Sequence, residues 1–156
     1  MELRLHWHQP FDLYNGSRHG LIYDVDEFEH IPDGPGVYVF ARSHGEVLAP
    51  LYIGRALSVS GRITQQLNNL RLMNGLRRAP AGYRTLCVAE LLTRPGQQVD
   101  HALNVVESAL INAALADGYE LLNVQGTNSL VHTISSRGNR DATRWFAREM
   151  HLRRGA

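Results

Sequence analysis

A chain of 156 residues with 44% apolar side chains and one cysteine is long enough for a single domain to bury a core without disulfide or metal staples, and the unpartnered thiol excludes a disulfide framework. No run of about 18 apolar residues occurs, and no basic stretch leading into an apolar one opens the chain, so neither a membrane span nor a secretory leader is expected, and a cytoplasmic location is. Net charge is only +1, but it is unevenly spread: residues 1 to 35 hold seven acids against two arginines, residues 47 to 89 hold six arginines and no acid, and the tail after Ser136 holds six arginines against Asp141 and Glu149.

Glu2 to His8 alternates, with Leu3, Leu5 and Trp7 on one side, the pattern of a half-buried strand. An Asn, Gly and Ser-rich stretch at 14 to 20 reads as a loop, and residues 21 to 31 fit an edge strand or a short helix equally. Asp33-Gly34-Pro35-Gly36 is a turn signal, and the β-formers of Gly36 to Ala41 predict a strand after it. A second, antiparallel strand is predicted over Val47 to Arg55, with Pro50 indicating an edge or a bulge. Alternation places Tyr38 and Phe40 on one side of the first strand, and Tyr52 and Gly54 on one side of the second, so the two tyrosines can meet.

From Ser58 the apolar period changes to three and four (Val59, Ile63, Leu67, Leu70, Met73), predicting a helix capped by Ser58 or Ser60 and ended by Gly75. Tyr83 to Leu92 reads as a third strand, in which Cys87 is expected to be a packed core thiol. Val99, Leu103, Val106, Leu110 and Ala114 mark a second helix stopping before Gly118. A short extended piece is expected at Glu120 to Val124, and a C-terminal helix with an arginine-rich face at Asp141 to Leu152. The class is α+β: a small mixed or antiparallel sheet flanked by helices, in the order β-β-α-β-α-β, with an added N-terminal strand and a basic C-terminal helix.

Glu107 lies at the border of the apolar stripe of the second helix, where a carboxylate is partly desolvated and needs an arginine, a hydrogen-bond network or a metal. Arg62 stands in the same relation to the first helix. For each the plain alternative is a side chain reaching solvent from the stripe edge. All 16 basic residues are arginine. Base composition of the source genome explains that as well as a preference for the guanidinium fork on phosphate does. A six-arginine segment likewise suits a solvated helix face or a phosphate-binding surface.

Gly36-Val37-Tyr38 followed by Tyr52-Ile53-Gly54, with Arg62 ten residues after Tyr52, Glu107 on the next long helix and Asn123 in Leu121-Leu122-Asn123, resembles the GIY-YIG nuclease superfamily. The resemblance covers residues 34 to 126, about 60% of the chain, and leaves extensions at 1 to 33 and 127 to 156. Each tripeptide alone is weak; five matches in order are more specific. Arg55 departs from the pattern, standing where many members have lysine. Its role can only be electrostatic, since a guanidinium does not exchange a proton near neutrality.

The resemblance implies a single-domain, metal-dependent endonuclease hydrolysing phosphodiester bonds, with DNA as the first expected substrate. On that reading Glu107 holds Mg²⁺ or Mn²⁺, and Tyr38, its pKa lowered by neighbouring arginines, takes a proton from water. Tyr52 shares that task or binds the phosphate, Arg55 and Arg62 stabilise the transition state, and Asn123 orients the site. Arg71, Arg77, Arg78, Arg84, Arg144 and Arg148 form the expected nucleic-acid contacts. Trp145 and Phe146 are read as core packing before base stacking, and His44 and His132 as accessories at most. Tyr38, Tyr52, Arg62 and Glu107 are expected to converge in one cleft on one face of the sheet. Two other functions stay open: a nucleic-acid-binding module that does not cut, favoured if Glu107 is ion-paired and no metal binds, and a nuclease effector or toxin acting on single strands or RNA. Target choice is expected to come from the short extensions, from loops or from a partner, the partner being a second copy in a homodimer or a targeting protein.

Overall fold

The computed structural model describes residues 2–123, 131–144 and 148–153. Strands β1 (Leu5–Trp7), β2 (Phe11–Asn15), β3 (Tyr23–Val25), β4 (Gly36–His44), β5 (Val47–Ala56) and β6 (Tyr83–Leu91) form one antiparallel sheet. Its order is β3-β2-β6-β4-β5, with β1 on the same side of β6 as β2. Helices α1 (Val59–Leu67) and α2 (Leu70–Arg78) follow the β4–β5 hairpin, and α3 (Val99–Ala116) follows β6. A separate ribbon pairs β7 (Val131–Ser135) with β8 (Glu149–Arg153), and a four-residue helix, α4 (Arg140–Thr143), lies between them. The architecture is α+β with helices on both faces of the sheet. No described helix is long and apolar enough to cross a membrane.

Strand alternation divides the core. Tyr38, Phe40, Leu86 and Val88 pack against Val59, Ile63, Leu67, Met73 and Leu76 of α1 and α2. The intervening residues look the other way: Val37, Ala89 and Leu91 meet Ala102, Leu103 and Val106 of α3, and Ile53 meets Ile111 and Ala114. Fully burying one side chain of this size is worth roughly 1.5–3 kcal/mol, so both faces contribute and neither helix layer is dispensable.

Several expectations are corrected. The first helix does not run on to Met73. It stops at Leu67, and Asn69 starts a new helix by accepting the Leu72 amide at 3.1 Å, while Gly75 sits inside α2, where a Cβ would meet Leu122 at 3.1 Å. Residues 14 to 20 are only partly loop, because Phe11–Asn15 is a strand. The C-terminal helix over 141 to 152 is confined to α4: residues 149 to 153 instead pair with 131 to 135, and long-range pairing with a β-branched segment overrides a periodicity set by arginines four apart. Residues 21 to 31 contain both alternatives, β3 and a short 3-10 turn at Phe28–His30.

The β4–β5 hairpin is as expected, and β5 ends the strand order. The register slips between Phe40 and Ala41, which face Tyr52 and Pro50, so Leu51 is the extra residue of a bulge beside the proline. The piece at Glu120 to Asn123 is not a strand, although the Leu122 amide donates to the Leu51 carbonyl at 2.7 Å and the Asn123 side chain to the Ile53 carbonyl at 2.9 Å. Val124, Trp145 and Phe146 lie outside the described residues.

Candidate functional site

On the α1 face, Tyr38 lies across from Gly54 and Phe40 across from Tyr52. The tyrosine rings stack, with centroids 6.2 Å apart and planes 21° apart. Gly54 is required here, because a Cβ on it would lie 2.4 Å from the Tyr38 hydroxyl. Gly36 allows a similar approach one strand over, where a Cβ would lie 2.2 Å from the Ala89 carbonyl. Gly54 thus leaves room for the Tyr38 side chain and Gly36 for the Ala89 backbone.

Gln66 organises this pair. Its Nε2 donates to the Tyr38 hydroxyl at 2.7 Å and to the Tyr52 hydroxyl at 3.3 Å, and its Oε1 accepts from Asn69 Nδ2 at 3.2 Å. The amide is therefore used at both ends, and the residue that caps α2 also braces the tyrosines. Sequence reasoning passed over Gln66. A signal existed, since it is a polar residue one position before Leu67 on the buried stripe of α1.

Tyr38 does not fit the role of a base. It is 1% exposed, and burial drives its pKa well above the ordinary tyrosine value; the Gln66 hydrogen bond and the Arg62 charge pull the other way and lose. The expected lowering by arginines is overturned because removing a phenolate from water outweighs a charge on an exposed side chain. Tyr52 is only half-buried and is the member of the pair that a substrate can approach.

On the opposite face, Arg55 lies across from Val37. Its Nε is 3.3 Å from Glu107 Oε2 and its Nη1 donates to Asp100 Oδ1 at 2.8 Å. The Glu107 side chain is 17% exposed, a stripe-edge carboxylate whose burial is compensated by an arginine. Asp100, seven residues earlier on α3, was not singled out from the sequence. The expectation that Glu107 and the tyrosines share a cleft on one face is overturned, and with it the mechanism in which Tyr38, Tyr52, Arg62 and a cation on Glu107 act together on one phosphate. Tyr52 and Arg55 are on opposite sides of β5 because they are an odd number of residues apart, and Glu107 follows Arg55. What the fold brings together is a hydroxyl pair on one side of β5 and an arginine–carboxylate pair on the other, with Asn123 bound to the carbonyl of Ile53 between them.

The donor set suits a hard cation held by one carboxylate, with water and substrate oxygens filling the remaining positions, as is usual for Mg²⁺. It does not suit a protein-made cage. Among the described residues no group of three or more metal-ligating side chains occurs.

The expected phosphate-binding arginines divide. Arg71, Arg77, Arg78, Arg144 and Arg148 are exposed, and Arg77 donates to Asn74 Oδ1 at 2.6 Å. Arg84 is buried, and its guanidinium donates to the carbonyls of Leu76, Ala79 and Gly82 at 2.7, 2.8 and 2.9 Å. It closes the C-terminal end of α2, and its guanidinium is taken up by these carbonyls. The expected core thiol, Cys87, is half-buried, and burial raises its pKa.

No family model, curated protein or solved structure matches the chain. The resemblance to GIY-YIG nucleases therefore rests on the residues named above.

Proposed function

We propose that the chain hydrolyses phosphodiester bonds in nucleic acid, DNA being the first substrate to test, through a site wrapped around strand β5. One observation carries this reading. Within the four residues Tyr52 to Arg55, a braced pair of tyrosine hydroxyls and an arginine–carboxylate pair flank the same strand. These are groups that bind phosphate oxygens, a proton and a divalent cation.

In this reading the scissile phosphate and its attacking water lie on the Arg55–Glu107 side of β5, and Tyr52, on the other side with its hydroxyl held by Tyr38 and Gln66, contacts a neighbouring part of the nucleic-acid strand. Arg62, exposed on α1, adds positive charge on the Tyr52 side. Arriving phosphate oxygens draw the Arg55 fork to themselves, which frees the Glu107 carboxylate. Mg²⁺ or Mn²⁺, when bound there, supplies neutralisation of developing charge and an acidified water. Asn123 fixes the strand by holding the Ile53 carbonyl.

The Arg55–Glu107 ion pair favours a second reading, a nucleic-acid-binding module that does not cut, because a carboxylate satisfied by arginine has less need of a cation. Incubation of the purified protein with labelled single- and double-stranded DNA and RNA, in Mg²⁺, Mn²⁺ or chelator, separates the two. Cleavage that needs the divalent ion, and that Glu107→Ala abolishes while binding persists, supports the hydrolase. Binding without cleavage of any substrate assigns the second reading, and the absence of both overturns each.

A further inference from the structure

We infer that a groove at the other end of β5 binds one unstacked nucleotide, so that the strand presented to the candidate site is single-stranded or locally splayed; this rests on the reading of that site given above. The groove has a volume of about 520 Å³ and is lined by Arg42, Pro50, Arg78, Tyr119, Glu120 and Leu122 among others. Pockets of roughly 300–1,000 Å³ hold ligands of small-molecule size.

The lining matches a nucleotide group by group. Tyr119 offers a half-buried ring, held where the chain turns at Gly118, φ 86°, with its amide donating to the Ala114 carbonyl at 3.0 Å. A tyrosine face accepts any base by stacking. Pro50 and Leu122 supply the apolar wall. Arg42 and Arg78 bring two guanidinium groups, of which Arg42 spends one N–H on the Ala81 carbonyl at 3.1 Å.

A helix C-terminus ordinarily repels phosphate, and α2 ends at Arg78. Here Arg84 already occupies the carbonyls of Leu76 and Ala79 and cancels that repulsion. The position of the groove links it to the site. Its walls come from α2 on the tyrosine side and from the segment after α3 on the other, so it too lies across β5. Leu51, which also lines it, is the residue before Tyr52. A duplex cannot insert a base there without unpairing, whereas a single strand can run along β5 with one base in the groove.

The test is equilibrium binding in chelator, so that no cleavage is required. Probes are a labelled single-stranded pentanucleotide, the same strand with an abasic central position, and a short blunt duplex. The intact strand should bind about tenfold or more tightly than the abasic one. Tyr119→Leu should erase that difference, Tyr119→Phe should keep it, and Arg42→Ala with Arg78→Ala should weaken intact and abasic strands alike. Equal binding of intact and abasic strands, or a difference that survives Tyr119→Leu, overturns the inference. If Tyr119→Leu does not fold, 2-aminopurine at the central position of the strand gives a readout on the native protein: quenching on binding supports stacking, and unchanged fluorescence overturns it. Base-dependent binding without cleavage in Mg²⁺ would refute the hydrolase alone, and cleavage with base-independent binding would refute the groove alone.

Discussion

Tyr38 and Tyr52 carry the same hydroxyl into different surroundings, and burial separates their roles. Tyr38→Phe keeps the ring against Phe40 and Tyr52 and removes one hydrogen bond from Gln66, so it should cost about 1 kcal/mol in urea denaturation. If the chain cuts nucleic acid, it should lower the rate far less than Tyr52→Phe; equal loss of rate would return Tyr38 to the chemistry. Its raised pKa also fixes an alkaline effect. The neutral hydroxyl's contribution to stability is whole below the unfolded value of about 10 and is lost as pH rises toward the folded value, because only the unfolded chain ionises in that window. Stability measured from pH 9 to 11 should therefore fall more steeply for the native protein than for Tyr38→Phe; parallel curves would contradict the burial. Arg84→Met should destabilise by about 3 kcal/mol, since one buried and two part-buried carbonyls lose a charged donor. It should leave the salt dependence of nucleic-acid binding unchanged.

At the scale of single elements, the hairpin and α3 were legible because their signals are local. The Asp33 to Gly36 turn and two runs of β-formers define β4 and β5, and a four-residue apolar period with Gly118 after it defines α3. The break between α1 and α2 was less visible, because the apolar stripe continues through Leu70 and Met73; only Asn69, a good cap in the middle of a helical pattern, marked it. The ribbon β7–β8 was missed because each strand is short and depends on the other. Within the candidate site, the motif positions could be read from sequence, but their sidedness could not. Strand parity separates Tyr52 from Arg55, yet which helix covers which face is decided only by packing. Gly54→Ala tests the hairpin directly. A methyl group would displace the Tyr38 hydroxyl and break the Gln66 bridge, so the melting temperature should fall with a loss of about 1–3 kcal/mol. A Gly54→Ala protein as stable as the native one would mean that the stack is not held as described.

For the whole molecule, the uneven charge is organised by the fold into surfaces. Arg71, Arg77 and Arg78 are exposed on α2, the helix that packs on the tyrosine side of the sheet. If nucleic acid crosses this side, log K for binding should fall with log salt by roughly 0.7–0.9 for each phosphate neutralised. Replacing Arg77 and Arg78 together should flatten the slope by about two such contacts at most. An unchanged slope would mean that the strand takes another course.

The shared bond of Arg55 to Asp100 and Glu107 has a thermodynamic consequence. If the site binds a divalent cation and nucleic acid as proposed, a cation approaching Glu107 must compete with Arg55, whereas a bound phosphate competes for Arg55 and removes that obstacle. Metal and nucleic acid should therefore bind with positive coupling, each raising the affinity of the other by the same factor, as reciprocity demands. Calorimetric titration of Mn²⁺ should give weak binding to the protein alone and tighter binding in the presence of a non-cleavable phosphorothioate strand. Arg55→Gln should shrink the coupling toward unity by strengthening the first of these affinities and weakening the strand's own. Equal Mn²⁺ affinity with and without the strand in the native protein would show that the arginine does not act as the hinge between the two ligands.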